Sequence, residues 1–417
     1  MFEAFRESDY RRFWFSQFFS NVGAWMQTVA QGYLVYRLSN SAFLLGVVGF
    51  ANAIPSLFLM LYGGVVADRF NRRMVVGLSQ VAQAVTALAL ALLIWTEQIA
   101  VWQIIVASIV TGIAISFSAP AWQAMVIDLL DDRSRLSNAI AMNSLQFQLS
   151  RAIGPLLAGV TLAAFGSAWC FFFNAVSFAP LIWILSRIKA RQQPSTDDTP
   201  VLERLRAGFV YVRGDRMILL ALAVAAAASA FGFPYLQLMP VVARQLFGAA
   251  EAQGLGYLMG GIGMGALAGS LALSVKTPSR AVMLPSIVVA LATFGFTLAP
   301  IGYLRWKPAV MLLLFVCGVS MVVCLALCNT SIQQRVPDQM RGRVLSMYTF
   351  SFFAFVPFGS LAGGALAQRQ GIGPTLLLLG SLLVICALIA TIAIRRRRRG
   401  RTYMGDAPVP ALNPSEL

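Results

Sequence analysis

The chain has 417 residues, of which 58% are hydrophobic and 12% are charged, with a net charge of +16 and no histidine. A soluble domain carries roughly 25% charged residues, so this composition excludes a soluble globular protein. The lack of histidine excludes a histidine metal site or a histidine proton relay. The five cysteines lie inside apolar runs, without the spacing of a metal site, and are interpreted as packing residues. We predict a membrane protein that carries no cofactor.

Twelve long apolar runs are suited to cross a bilayer. A span takes roughly 20 apolar residues, and only helices or closed barrels can form it. The runs are continuous rather than alternating, which favours helices, and we place them at 13–36, 43–66, 74–95, 100–122, 138–164, 168–188, 217–241, 252–275, 281–300, 308–330, 343–367 and 374–394. The chain then divides into a six-helix half (1–188), a cytoplasmic linker with an amphipathic helix (189–216), a second six-helix half (217–394) and a basic, disordered tail (395–417).

The basic residues are distributed unequally between the two sides of these spans. One side holds most arginines, including those of the linker and the tail, whereas the other holds only Arg37, Arg244, Arg305, Lys307 and Arg369. By the positive-inside rule, the richer side and both termini are cytoplasmic. The charge therefore reports membrane topology, and we expect the bilayer rather than a nucleic acid as a partner.

An internal repeat supports this division. Residues 127–166 align without gaps with residues 332–371, a shift of 205, and the identities include Met142/Met347, Gly154/Gly359 and Gly159/Gly364. A shift of about half the chain is what two parallel six-helix repeats would leave. The predicted fold is an all-α integral membrane protein with twelve transmembrane helices in two parallel pseudo-repeats.

The loop after the second span has an unusual composition. Residues 64–73 read GVVADRFNRR, which places one acid and three arginines at a water-facing turn. The simplest local interpretation is a helix-capping Asp68 beside arginines that only set topology. The spacing Gly-x-x-x-Asp-Arg-x-x-Arg-Arg, however, resembles the loop between helices 2 and 3 of the major facilitator superfamily of secondary transporters. Asn71 stands where that family usually has glycine, and asparagine tolerates a left-handed backbone.

That resemblance implies a role for the loop as a gate. In the family, the acid contacts the opposite half of the protein and latches the outward-open state. The role carries over to Asp68 and Gly64, with Arg69, Arg72 and Arg73 as partners. The resemblance also implies charged clusters that close the cytoplasmic side through salt bridges, formed by Asp128, Asp132, Arg133, Arg135, Asp338, Arg341 and Arg343.

Further segments resemble one branch of this superfamily, the bacterial secretion effectors, which include enterobactin exporters and macrolide efflux proteins. They are DYRRFW, SFSAPAWQAMVIDLL and NTSIQQRVPDQMRGRVLS. The resemblance implies a monomer in the bacterial inner membrane. It also implies export of an amphipathic small molecule, such as a siderophore or a drug, by alternating access with proton antiport.

Polar residues inside the spans are candidates for a substrate cavity, because polar groups in lipid are costly unless they face protein or water. Gln17, Asn21, Thr28 and Gln31 share one face of the first span, and Gln27 lies beside them. Helix–helix hydrogen bonding is the alternative explanation for this face. Further candidates are Asn52, Asn143, Gln146, Ser150, Arg151, Gln237 and Asn329.

Arg151 is the one charge placed well inside a predicted span. A buried arginine without a partner is expensive, which favours an anionic substrate group or a nearby acid. Alternatively, the fifth helix starts late and Arg151 snorkels to the interface. The following Gly154-Pro155-x-x-x-Gly159 resembles the antiporter motif of drug-exporting facilitators, although ordinary small-residue packing explains it equally well.

Proton coupling follows from the resemblance and not from the residues. All sixteen acids lie at termini, loops or helix ends, and the best-buried candidates are Asp68 and Asp128. A cavity without a carboxylate suits anionic or uncharged amphiphiles better than cations. A lysophospholipid translocase or an uncoupled facilitator of the same fold therefore stays open, whereas the sequence offers no nucleophile or phosphate loop for an enzyme.

Overall fold

The computed structural model describes residues 3–188, 209–275 and 278–403, and these ranges contain helices and no β-strand. The first half consists of α1 (Ser8–Ser39), α2 (Ala42–Arg69), α3 (Arg72–Trp95), α4 (Val101–Asp128), α5 (Leu136–Ala164) and α6 (Ser167–Arg187). Most of the expected linker helix, 189–208, and the end of the basic tail lie outside the described residues.

The second half begins with a broken helix. The predicted span 217–241 is divided into α7 (Arg216–Ala227), a π-helical turn (Ala228–Gly232) and α8 (Pro234–Phe247). Pro234 has no backbone N–H to continue a regular helix, and the N–H of Phe233 reaches back to the carbonyl of Ala228 at 3.2 Å. The remaining helices are α9 (Glu251–Val275), α10 (Arg280–Leu298), α11 (Lys307–Gln333), α12 (Asp338–Gln370) and α13 (Ile372–Tyr403).

The helices have the lengths and apolar composition of membrane spans. Within the described ranges, nine stretches are long and apolar enough to cross a membrane, and one of them, Arg216–Val275, covers both the seventh and the eighth predicted spans. Val282–Leu298 is shorter but apolar, and α1 is 32 residues long but more polar. This set is consistent with twelve crossings.

Two helix pairs join the halves. α2 packs against α12, and α5 packs against α9. Glycines allow both crossings: a Cβ added to Gly159 would lie 2.8 Å from Cα of Gly256, and a Cβ added to Gly364 would lie 2.8 Å from Cα of Gly46. Gly159 and Gly364 are equivalent positions of the sequence repeat, so the repeat places a small residue at the same point of both interfaces.

Candidate transport site and gates

The loop after α2 is organised by Asn71, which caps α3. Its Oδ1 accepts a hydrogen bond from the N–H of Arg73 at 3.1 Å, and its φ is −62°. Asn71 therefore does not use the left-handed backbone that asparagine tolerates. Asparagine is among the best N-cap residues, well suited to satisfy an otherwise unpaired N–H of the first turn, which accounts for its presence in the loop.

Arg72 ties the ends of three helices of the first half together. Its Nη1 donates to both carboxylate oxygens of Asp128 on α4, at 2.8 and 3.0 Å, and its Nε donates to the carbonyl of Ala67 on α2 at 3.2 Å. Both charged side chains are close to fully buried, at 12% and 8% exposure. Arg73 donates to the carbonyl of Ile188 at the end of α6. These contacts of the two arginines lie within the first half.

Asp68 is more exposed and less tightly paired than Asp128. Its side chain is 41% exposed and lies 3.9 Å from Nη2 of Arg72. Arg69 is exposed. A Cβ added to Gly64, one turn earlier on α2, would meet no atom within 4 Å among the described residues. Of the gating residues, Asp68 and Arg69 are therefore accessible whereas the side chain of Arg72 is close to fully buried, and the ion pair that the described residues give Asp68 is with Arg72.

The first charged cluster also stays within one half. Arg135 pairs with Asp132 at 3.5 Å and with Glu7, the residue that precedes α1. The N–H of Ser134 donates to the carboxylate of Asp132 at 2.9 Å. Hydrogen bonding by the side chain and then by the backbone of Ser134 lowers the pKa of Asp132. Sequence reasoning missed Glu7, because a single acid near the N-terminus carries no motif.

The second cluster is described only in part. Nη1 of Arg343 donates to the sulfur of Met340 at 3.8 Å, and Arg341 is exposed. The side chains of Arg133 and Asp338 lie outside the described part of the structure. Closure of the cytoplasmic side by these clusters therefore stays a prediction.

Hydrogen bonds to neighbouring helices occupy much of the polar face of α1. Gln27 accepts from Nδ2 of Asn174 on α6 at 2.6 Å, and Gln31 donates to the hydroxyl of Ser108 on α4 at 2.8 Å. These two contacts favour the helix–helix interpretation for their side chains. Thr28, by contrast, is exposed and donates to the carbonyl of Ala24 in its own helix.

The polar residues of α5 mostly face α1. Asn143 accepts from the hydroxyl of Tyr10 at 3.0 Å, Gln146 donates to the carbonyl of Trp14 at 2.7 Å, and Ser150 donates to the carbonyl of Phe18 at 3.4 Å. Between them, Gln17 donates to Asn21 and Asn21 donates to Gln146, at 3.0 and 3.5 Å. The two helices are thus joined by a continuous polar seam.

The other candidates are scattered. Asn52 donates to the carbonyl of Ser108 at 3.5 Å, and Asn329 accepts from Gln333 within α11. Gln237 packs against Gly49 of α2, where an added Cβ would lie 3.0 Å from its side chain. Of these three, Gln237 is the one placed between the halves. Gly154 packs within the first half, with Cβ of Trp25 2.5 Å from an added Cβ, while Pro155 lies inside an unbroken α5.

Arg151 lies near the middle of α5 and is only 6% exposed. The helix begins at Leu136, so the expectation of a late start is wrong. The guanidinium stands 5.5 Å from the ring centre of Trp25 on α1, and Nη2 is 3.9 Å from the sulfur of Met321 on α11. No carboxylate among the described residues lies within ion-pairing distance of it.

At the end of the molecule opposite the 64–73 loop, the two halves are joined directly. Oε1 of Gln368 on α12 accepts hydrogen bonds from the N–H of Ala42 at 2.8 Å and from the hydroxyl of Ser41 at 3.1 Å. These bonds cap the start of α2. Arg244 stands 5.7 Å from the ring centre of Tyr36. Sequence analysis did not identify the hydrogen bond between Gln368 and Ala42, since these residues are 326 positions apart.

Comparison with known proteins agrees with this architecture. Residues 1–403 match the model of the transmembrane secretion effector family. The chain is 25% identical to the staphyloferrin A transporter of Staphylococcus aureus, covering 92% of this chain and 96% of that protein. It is 24% identical to the multidrug efflux pump Tap of Mycolicibacterium fortuitum, covering 92% and 95%.

Solved structures show the same fold. A bacterial homologue of the human lysosomal transporter Spinster, in an inward-facing and unoccupied conformation, superposes with a TM-score of 0.71 at 14% identity, over 94% of this chain and 98% of that one. The predicted all-helical fold and the family resemblance are confirmed by these matches. The chain belongs to the transmembrane secretion effector family, a branch of the membrane transporters of the major facilitator superfamily.

Proposed function

We propose that this protein exports an amphipathic small molecule across the bacterial inner membrane by alternating access between its two halves. The observation that carries the proposal is the difference between the two ends of the interface. Gln368 and the Gly46–Gly364 crossing close one end. At the other end Asp68 is 41% exposed, and a Cβ added to Gly64 would meet no atom of the described residues within 4 Å. One closed end and one open end are what alternating access requires of each resting state.

The open end faces the cytoplasm in this proposal, because the 64–73 loop, the linker and both termini carry most of the arginines. The conformation is then the one that loads a substrate from inside. Relatives named for siderophore transport and for multidrug efflux support an amphipathic cargo that moves outward. The protein acts as a monomer, since each half supplies one side of the path.

Proton antiport is the proposed driving reaction, and Asp68 is the carboxylate that we assign to it. Asp128 is held by two hydrogen bonds from Arg72 and is 8% exposed, so its role is to fix the loop. Asp68 is more exposed and 3.9 Å from the same arginine. A long ion pair with an exposed carboxylate contributes only about 0–1 kcal/mol, so Asp68 can exchange Arg72 for a partner in the second half at little cost.

The test is proton movement in proteoliposomes that contain a pH-sensitive dye. A catecholate siderophore, a macrolide and a lysophospholipid are added in turn to the wild-type protein and to Asp68→Asn. We expect one of the first two to drive proton flux in the wild type and not in the variant. Arg12→Gln is the matched control, because its pair with Asp9 is also surface-exposed but lies outside the loop.

Two results would contradict the proposal. Proton flux at the wild-type rate in Asp68→Asn would refute the assignment of Asp68 as the carboxylate required for antiport. Movement of the lysophospholipid that survives collapse of the proton gradient would instead identify a lipid translocase of the same fold.

A further inference from the structure

Two buried polar side chains lie near the junction of the halves, and neither has a strong hydrogen-bond partner among the described residues. Arg151 is 6% exposed, and its one hydrogen bond among the described residues goes to the sulfur of Met321. Tyr235 on α8 is fully buried, and its hydroxyl has no hydrogen-bond partner among the described residues. The two lie within electrostatic range of each other. One belongs to the first half and the other to the second.

The surroundings do not balance the charge of Arg151. A cation–π contact, such as that with Trp25 at 5.5 Å, contributes about 0.5–2 kcal/mol. Burying an ion costs several kcal/mol even after the protein relaxes. A thioether is a weak acceptor, and a guanidinium presents five N–H donors. The native contacts therefore leave most of the donor capacity of Arg151 unused.

The backbone beside Tyr235 is also irregular. The π-helical turn Ala228–Gly232 ends three residues before it, and π-turns inside helices occur frequently at functional sites. The repeat-related position of Arg151, 205 residues later, is Val356. The repeat thus places a cation at this position in one half only, which is consistent with a site for one anionic group.

On these grounds we propose that Arg151 and Tyr235 form a carboxylate-binding subsite for the exported molecule, with Trp25 in contact with its apolar body. The inference rests on the proposed function, because it names the substrate class of that transport path. A guanidinium binds the two oxygens of a carboxylate side by side, and the phenol donates a third hydrogen bond. A single fixed charge and one hydroxyl match a monoanion better than a phosphate.

Met321 covers the subsite in this conformation. Its side chain is flexible and its sulfur holds Nη2 of Arg151 weakly. A carboxylate oxygen that enters between the halves therefore replaces the sulfur at the guanidinium. A carboxylate bound to both Arg151 and Tyr235 would also link the two halves, because Arg151 belongs to the first half and Tyr235 to the second.

The test is isothermal titration of the full-length protein in detergent with 2-naphthoate, its neutral amide and 2-naphthyl phosphate. We expect the wild type to bind naphthoate about ten- to hundredfold more tightly than the amide, as charge-assisted hydrogen bonds require. Arg151→Gln should abolish this preference. Tyr235→Phe should weaken naphthoate binding about three- to tenfold and leave the amide unchanged.

Arg151→Lys is the control for a folding defect, because lysine keeps the positive charge but lacks the planar guanidinium group. It should retain the fold, checked by thermal unfolding, and bind naphthoate with intermediate affinity. An unchanged preference in Arg151→Gln, or no preference in the wild type, would overturn the subsite. Tighter binding of the phosphate would overturn the carboxylate assignment.

Transport measured on the same variants separates the two proposals. Proton-coupled export by a wild type that shows no preference for naphthoate would refute the subsite alone. Carboxylate-selective binding by a protein that transports neither 2-naphthoate nor any of the three transport substrates would refute the proposed function and leave the subsite in place.

Discussion

The two ends of the molecule are held together in different ways. At the closed end, neutral hydrogen bonds and backbone contacts cross from one half to the other, through Gln368 and the Gly46–Gly364 crossing. At the end that carries the 64–73 loop, the ion pairs Arg72–Asp128 and Arg135–Glu7 lie within the first half. Each kind of contact suits a different task. Buried ion pairs hold helix ends of one half together, and the neutral contacts between the halves could break and reform in the proposed transport cycle.

The largest expected effect comes from adding volume at the closed end. In Gly46→Val, Cβ would lie 2.5 Å from the carbonyl oxygen of Ser360 and 3.0 Å from Cα of Gly364. Backbone atoms cannot move aside as a flexible side chain can, so the halves should be forced apart there. We expect transport to fall at least about tenfold, since overpacking costs about 1–3 kcal/mol. Substrate flux in proteoliposomes measures the loss.

Gly77→Val is the matched control for this variant. It lies in α3, and an added Cβ would meet no atom within 4 Å among the described residues. Equal transport by the two valine variants would show that close packing at Gly46 is not needed for function.

A smaller but distinct effect should separate the two acids at the loop end. Removing one partner of the buried Asp128–Arg72 pair should destabilise the first half by about 3–5 kcal/mol. Removing the exposed Asp68 should change the stability by no more than about 1 kcal/mol. Thermal unfolding in detergent should therefore show a much lower midpoint for Asp128→Asn than for Asp68→Asn.

The double variant Asp128→Asn/Arg72→Gln tests the cause of that loss. It removes the unpaired buried charge and should recover part of the stability. A midpoint equal to that of wild type in Asp128→Asn would mean that the pair does not hold the loop.

The smallest expected effect is at the cap that joins the halves. Gln368→Leu removes the acceptor for the N–H of Ala42, and loss of an N-cap costs about 0.5–2 kcal/mol. The closed end should then open more often, by about fivefold. A membrane-impermeant maleimide reacting with Ser41→Cys measures this opening from outside.

Gln368→Glu keeps an acceptor oxygen beside the start of α2, where a negative charge is favourable. In the Gln368→Glu variant, the maleimide should label Ser41→Cys at a rate close to that measured when Gln368 is present. Equal labelling of the leucine and glutamate variants would show that the cap does not control opening.

Helix periodicity and the order of motifs could be read directly from the sequence. Apolar runs longer than about 18 residues define spans, because the bilayer fixes their length. The Asp-Arg-x-x-Arg-Arg spacing and the 205-residue repeat identified the superfamily and the two halves. The sequence also predicted that Arg151 lies inside a helix, since it is far from either end of an apolar run.

The partners of individual side chains were decided only by the tertiary structure. Arg72 has Asp68 four residues before it, yet its shorter contact is with Asp128, which α4 brings to the loop. Gln31 shares a face with Gln17, but only the packing of α4 shows that it binds Ser108. A helical period determines which residues share a face. How the helices rotate and cross decides what that face meets, and this depends on long-range packing that no local pattern records.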